Sequence, residues 1–353
     1  MYDETGIIMT SLWRILVLWA LIMVPISALS RSVVDETNTT IEIPDHIARV
    51  AAAGPPASVF LYSLAPDLML GWSNGWSERT LNGLGDKAKS MKVIGSVGGK
   101  TGTESNIERL IMYKPDIIVD IGNHLKTNIS MVERVRYRTS IPFVLYDGSI
   151  SALPHAYREV GELLGRKEDG EIRAKWIEQR LNKIEKVLSD IPDAERPRIY
   201  YARGVTGLES GSRLSIHAET IEMAGGRNVA GDAGGNQGIL QLSMDQVMAF
   251  DPDIIVASDD RFLKTIKDQP IWQNLRAIKN GKILVAPSVP FSWVDLPPSV
   301  NRVIGVIWLT NKLYPSRYPV DIETEVKEFY SLFYHVELDK TAINSLLHPS
   351  DNL

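Results

Sequence analysis

Apolar positions along this chain alternate between two kinds of run. Short unbroken stretches punctuated by glycine, proline or aspartate read as buried strands: Ala48 to Ala53, Asp67 to Gly71, Ile117 to Val119, Ile141 to Tyr146, Arg198 to Ala202, Ile254 to Val256 and Lys282 to Val285. Between them, apolar residues recur at helical spacing and predict helices over 57–65, 152–164, 218–224 and 271–278, with a helical region over 301–313 and 322–333. The longest such pattern runs from Glu168 to Ile191 and carries Ile172, Trp176, Ile177, Leu181, Ile184, Val187, Leu188 and Ile191. No glycine or proline interrupts it after Glu171, and Pro192 stops it. Strands alternating with helices predict parallel sheets flanked by helices.

One pattern occurs twice. Asn106 to Val119 ends Lys-Pro-Asp-Ile-Ile-Val, and Ser243 to Val256 ends Asp-Pro-Asp-Ile-Ile-Val, with Asp116 and Asp253 standing 137 residues apart. Each copy describes a capped helix that stops before proline and leads into a buried strand. A repeat so long predicts two similar α/β lobes with the long helix as a rigid connector between them, and a ligand cleft where the lobes meet. The divisions expected are a signal peptide over 1–30, a linker over 31–45, an N-terminal lobe over 46–165, the connecting helix over 166–192, and a C-terminal lobe with terminal helices over 193–353.

The first segment changes the picture of where the protein works. Trp13 to Leu29 is almost wholly apolar but short for a membrane span, and Ala28-Leu29-Ser30 has the small-x-small form of a signal-peptidase site. Translation from Met9 rather than Met1 would place Arg14 in a better leader. The chain has no cysteine, which excludes disulfides, thiolate metal sites, iron–sulfur clusters, a cysteine nucleophile and a lipoprotein anchor. A periplasmic protein without a lipid anchor is the expectation. A net charge of −5 with no basic tract argues against nucleic acid as a partner.

Four phrases in order around the long helix carry a family likeness. They are Asn106-Ile-Glu-Arg-Leu before Lys114-Pro-Asp, Glu222-Met-Ala-Gly-Gly-Arg-Asn228, Leu242-Ser-Met-Asp-Gln before Asp251-Pro-Asp, and Trp272-Gln-Asn-Leu-Arg-Ala-Ile-Lys-Asn-Gly281. The chain resembles the periplasmic substrate-binding proteins of ABC importers for iron chelates and cobalamin, from about Ile47 to Pro315. The segment Pro290 to Ser299, with Asn301-Arg302, resembles a subset that takes ferric complexes or molybdate and tungstate. The resemblance implies two lobes joined by one long helix, a ligand between them, docking on a membrane permease, and neither catalysis nor a cofactor. In that family an acidic residue on each lobe meets permease arginines. Glu108 sits in the matching phrase with Glu104 beside it, and Asp245 occupies the same column of the second copy.

Ligand candidates follow from the rule that parallel sheets present their carboxyl-end loops to the ligand. Lys100 and Arg203 suit an anionic chelate or oxyanion. Trp72, Trp76 and Trp293 suit stacking on a flat ligand. His124 and His217 suit hydrogen bonding or metal ligation, although no compact histidine motif marks a metal site. Gly95-Ser-Val-Gly-Gly-Lys-Thr101 approaches a phosphate-binding loop but has Ile94 where its first glycine belongs. The expected ligand is a ferric siderophore-type complex, with molybdate or tungstate, a nickel chelate, cobalamin and haem following. A hydrolase using the cleft is the rival from another class, but no Gly-x-Ser-x-Gly elbow is present. A monomer is expected.

Overall fold

The computed structural model describes residues 30–98, 104–213, 215–232 and 238–349. In chain order the strands are β1 (Ser30–Val34), β2 (Thr40–Pro44), β3 (Val50–Ala52), β4 (Ile117–Gly122), β5 (Phe143–Asp147), β6 (Arg198–Ala202), β7 (Glu209–Gly211), β8 (Arg227–Asn228), β9 (Ile239–Gln241), β10 (Ile254–Ala257) and β11 (Ile283–Val285). One parallel sheet runs β3-β4-β5, with a parallel bridge from Val50 to Met69 beside β3. The second runs β8-β6-β10-β11, also parallel. Counting the bridge at Met69, both lobes follow one winding order, as the repeat predicts.

The shared Pro-Asp earns its place by a clamp built the same way in each lobe. Asp116 Oδ2 accepts the backbone N–H groups of Ala48 and Arg49 at 2.8 Å, and Arg49 returns its guanidinium to the carbonyls of Tyr113 and Lys114 that end the helix Glu104–Tyr113. In the second lobe Asp253 Oδ2 accepts Arg198 N–H at 2.9 Å, and Arg198 reaches the Phe250 carbonyl at the end of helix Met244–Phe250. Each arginine thus satisfies carbonyls that a helix end leaves unpaired. Lys114 and Asp251, one before each proline, share a left-handed turn at φ 46° and 36°. Asp116→Ala should cost about 1 kcal/mol by freeing two N–H groups, and Asp253→Ala a similar amount, since it frees one N–H and the Arg276 guanidinium that pairs with it at 3.0 Å; urea unfolding of each variant measures this.

The alternation of side chains along each strand puts two cores on each sheet. Ile117, Val119 and Ile121 of β4 join one large core, whereas Ile118 faces a smaller cluster private to the first lobe. On β10, Val256 joins the large core and Ile255 and Ala257 a cluster private to the second. The large core therefore runs through both lobes. The connecting helix, Lys167–Leu188, lies along it and is about 33 Å long. Its buried face is Ala174, Ile177, Ile184 and Leu188, while Ile172 is exposed.

Two sequence expectations change. The stretch read as a linker forms the antiparallel hairpin β1–β2 instead, because Ile41 and Ile43 alternate with polar residues and sink into the large core. The helices after Asn301 do not belong to the second lobe alone. They are Asn301–Leu313, Ile322–Phe329 with a wider turn over 330–334, and Lys340–Leu347. Phe333 packs on Tyr157 and Trp176, Arg180 pairs with Glu325 and Glu328, Arg173 reaches the Leu332 carbonyl, and His335 reaches that of Tyr62. They strap the connecting helix to the first lobe. The hairpin was hidden by its polar residues, and the strap by the absence of any local signal for a contact so distant in sequence.

Candidate functional site

The carboxyl ends of β4 and β5 in one lobe face the turn after β7 in the other across a cavity of about 460 Å³. Asn123, His124, Leu125, Asp147 and Ser149 line it from the first lobe, and Ser215, Ile216, His217 and Gly238 from the second. This is where parallel sheets place ligands. Each wall is held by short-range bonding. Asn123 Oδ1 accepts Asn128 Nδ2 at 2.8 Å and turns the chain into helix Lys126–Thr139. Asp147 Oδ1 accepts Ser149 N–H at 2.8 Å, and Ser215 Oγ accepts His217 N–H at 3.1 Å. A Cβ on Gly211 would stand 2.9 Å from the backbone of His217 and Ala218, so glycine there lets the turn lie flat on β7.

Both cavity histidines are oriented by carboxylates. His124 Nε2 lies 3.0 Å from Glu36 Oε2, and Glu36 also accepts Asp147 N–H at 2.7 Å. His217 Nδ1 lies 2.7 Å from Asp295 Oδ2, a carboxylate that is wholly buried. Asp295 also takes Arg203 Nε at 3.0 Å and the Tyr201 hydroxyl. Burial opposes its charge, yet the hydrogen bond from His217 and the charge of Arg203 outweigh burial and hold the carboxyl below the ordinary carboxylate value. An ionised Asp295 accepts Nδ1–H and leaves Nε2 as the ring atom for a ligand. The arrangement offers hydroxyls, imidazoles and backbone amides at the meeting of two lobes. That chemistry can hold a small polar ligand.

The structure brings His124 and His217 to one cavity and places Arg203 one step behind it, bound to Asp295 and, at 2.7 Å, to Glu209. Trp72 and Trp293 are core residues: Trp72 donates to the Ala88 carbonyl at 3.0 Å, and Trp293 packs edge-on to Trp308. Trp76 is half-buried against Trp72 and Phe291, with no place in the cavity lining. Lys100 lies outside the described residues. Glu108 is exposed one turn into the helix that Glu104 opens, and Asp245 is exposed in the first turn of the corresponding helix. Among the described residues no three histidine or acidic side chains form a metal cluster. Sequence reasoning missed Glu36, Ser149, Ser215 and Asp295. Glu36 sat in the supposed linker, and Asp295 stood in a quoted motif without a role.

Asp120, at 8% exposure on β4 three residues before the cavity, is a buried acid of the first lobe. Burial pushes its carboxyl up to about 6, with the Ile121 N–H pulling back. A folded value above the unfolded one means its contribution is full below about pH 4 and lost as pH rises through about 6. Asp120→Asn should therefore raise stability near pH 7 by on the order of 2 kcal/mol and by little at pH 4. Urea unfolding at the two pH values measures the difference.

With fold and cavity in place, comparison with known proteins defines the class. The model of the periplasmic binding protein family matches residues 74–290, and the chain belongs to that family. The molybdate-binding protein MolA of Haemophilus influenzae is 24% identical over 334 residues, covering 86% of this chain and 91% of that protein. A cobalamin-binding protein of Halobacterium salinarum is 25% identical over 258 residues, covering 71% and 66%. A solved ABC transporter solute-binding protein from Sulfurospirillum deleyianum superposes with a TM-score of 0.82 at 29% identity, covering 90% of this chain and 98% of that one. The chain is thus a periplasmic substrate-binding protein of ABC transporters, a transport component and not an enzyme, which carries a ligand rather than a cofactor. Proteins of this kind bind a small ligand and interact with a membrane permease. No helix among the described residues is long and apolar enough to cross a membrane.

Proposed function

We propose that this protein captures a tetrahedral oxyanion of the molybdate and tungstate class in the cavity between its lobes and delivers it to an importer. The observation that carries the reading is the cavity itself: about 460 Å³, lined by Ser149, Ser215, His124 and His217, with no aromatic side chain among the described lining. The hydroxyl groups of Ser149 and Ser215, from opposite walls, can donate to an anion whose oxygens point in four directions. A flat catecholate, corrin or haem would need stacking surfaces, and Trp72 and Trp293 are committed to the core. The relative that binds molybdate, matching along nearly its whole length, supports the same choice over a ferric siderophore. Calorimetric titration with molybdate, tungstate, sulfate, ferric citrate and a nickel–histidine complex tests it. Saturable 1:1 binding of molybdate or tungstate, weakened about tenfold or more by His217→Ala, is expected. Binding of the ferric or nickel complex alone would overturn the oxyanion.

The paired imidazoles favour a second reading. One histidine from each lobe can complete the coordination of a compact metal chelate with open positions, and the same titration distinguishes it.

For delivery, Glu108 and Asp245 are the docking acids of the two lobes, supported by their exposure and matching helix positions. Reversing either charge to lysine should impair transport in cells while leaving ligand affinity unchanged. A monomer released into the periplasm by cleavage near Ser30 completes the reading, and mass analysis of the mature chain tests the cleavage.

A further inference from the structure

Beneath the cavity lies a charge pair that the oxyanion reading does not use. Arg302, fully buried in the first turn of helix Asn301–Leu313, donates Nη1 to Glu219 Oε2 at 2.5 Å and to the Ile216 carbonyl at 3.2 Å. Its Nη2 donates to the Gly148 carbonyl, and its Nε to that of Ser299 at 3.2 Å. Glu219 uses its other oxygen to accept the Ile150 N–H at 2.8 Å. Gly148 stands between the lining residues Asp147 and Ser149, and Ile216 between Ser215 and His217. One guanidinium therefore ties the lip of the first lobe to the lip of the second, and its carboxylate partner repeats the tie. Ser299 adds a third bond across, Oγ to the Pro56 carbonyl at 2.9 Å.

The Arg302 charge is not where its local chemistry favours it, whereas Glu219 opens the short helix Glu219–Met223. A cation in the first turn of a helix opposes the helix dipole. Burial lowers the Arg302 proton affinity and raises that of Glu219, with the attraction between them countering both. A buried ion pair is weak as a source of stability but strict about geometry, because each partner must be met in a fixed direction. A merely cohesive contact at this point would be made as well by apolar side chains.

We propose that Arg302 and Glu219 are positioning residues that form a strut fixing the width of the cavity, and so the size of ligand accepted. This rests on the assignment of the cavity as the ligand site. The strut holds Ser149 and Ser215, and with them His217, at a preset separation, so a small ligand meets a site already formed and the lobes do not need to close upon it.

The cysteine-free chain allows a direct test. Cysteines introduced at the exposed positions Tyr137 and Lys264, one per lobe, carry spin labels for pulsed distance measurement. With Arg302 intact, a single narrow distance distribution that molybdate does not move is expected. In Arg302→Met the distribution should at least double in width, and the ratio of molybdate to ferric citrate affinity should fall by about tenfold. Arg302→Lys, which keeps the charge but not the fork, should show the same changes. If Arg302→Met does not fold, Glu219→Gln decides by the same two measurements. A folded variant with unchanged width and unchanged ratio overturns the strut, as does a ligand-induced shift of the intact protein as large as the variant's broadening. The distance arm needs no ligand, so it judges the strut even where titration has rejected the oxyanion.

Discussion

Gly305→Ala is expected to destabilise the protein by more than about 3 kcal/mol or to prevent folding outright. A Cβ built at Gly305 lies 1.8 Å from the Trp293 carbonyl oxygen and 3.2 Å from the Thr220 methyl. The first of these is backbone and cannot swing aside. Relief would require moving helix Asn301–Leu313 away from the 293–295 segment, where Thr220 Oγ1 bonds the Val294 carbonyl at 2.9 Å and Asp295 orients His217. The damage should therefore reach the cavity: any folded fraction should bind ligand less tightly. Gly75→Ala is the control, since nothing stands within 4 Å of its Cβ. Thermal unfolding of the two variants side by side measures the contrast. A Gly305→Ala protein melting within a few degrees of the unaltered chain would contradict the close approach.

The second large effect concerns Asp295. Replacing it by alanine removes the common acceptor of Tyr201, Arg203 and His217 and leaves a mostly buried guanidinium with Glu209 alone. Breaking such a network from one side costs about 3–5 kcal/mol, because the stranded partners keep their desolvation penalty. His217 loses the bond that sets its tautomer, so affinity should fall by at least about tenfold even under conditions where the variant remains folded. Asp295→Asn keeps the shape and should fall between the two. The pH dependence has a definite sign. The folded carboxyl lies below its unfolded value, so its contribution is fully present above about pH 4 and disappears as pH falls through the lowered value. The alanine variant should lose that acid-side decline, and denaturant titrations at pH 3, 5 and 7 would reveal it.

What the sequence made legible was whatever a local pattern encodes. The paired Pro-Asp phrases announced two lobes, and their structural reason is the Asp116 and Asp253 clamps on the first strand of each sheet. The run from Glu168 to Ile191 announced the connecting helix to within a few residues at each end. Asn106 misled slightly: the helix opens two residues earlier at Glu104, and Asn106 instead bonds the Ser96 carbonyl at 2.8 Å. Helix Lys126–Thr139 was not anticipated, since its buried residues are few, Val132 and Val135, and arginines crowd its last turn. For the site, strand-end logic led to His124 and His217, which the structure brings to one cavity. Tryptophans misdirected the reading because an aromatic ring offers the same apolar surface to a ligand or to a core, and only packing decides which. Glu36, Asp295 and Arg302 act across long stretches of chain, and no spacing rule reaches them.

The strap of C-terminal helices also bears on how the molecule is made. His335 meets the Tyr62 carbonyl across 273 residues, and Phe329, Phe333 and Tyr334 complete the core that Phe60, Tyr157 and Trp176 begin. A nascent chain emerging from its N-terminus has every strand of the first sheet long before it has the residues that seal that sheet's inner face. Until residues 329–334 have been made, Tyr157 and Trp176 lack the rings that cover them. A lobe whose core is completed by residues so much later in the chain stays open until those residues arrive.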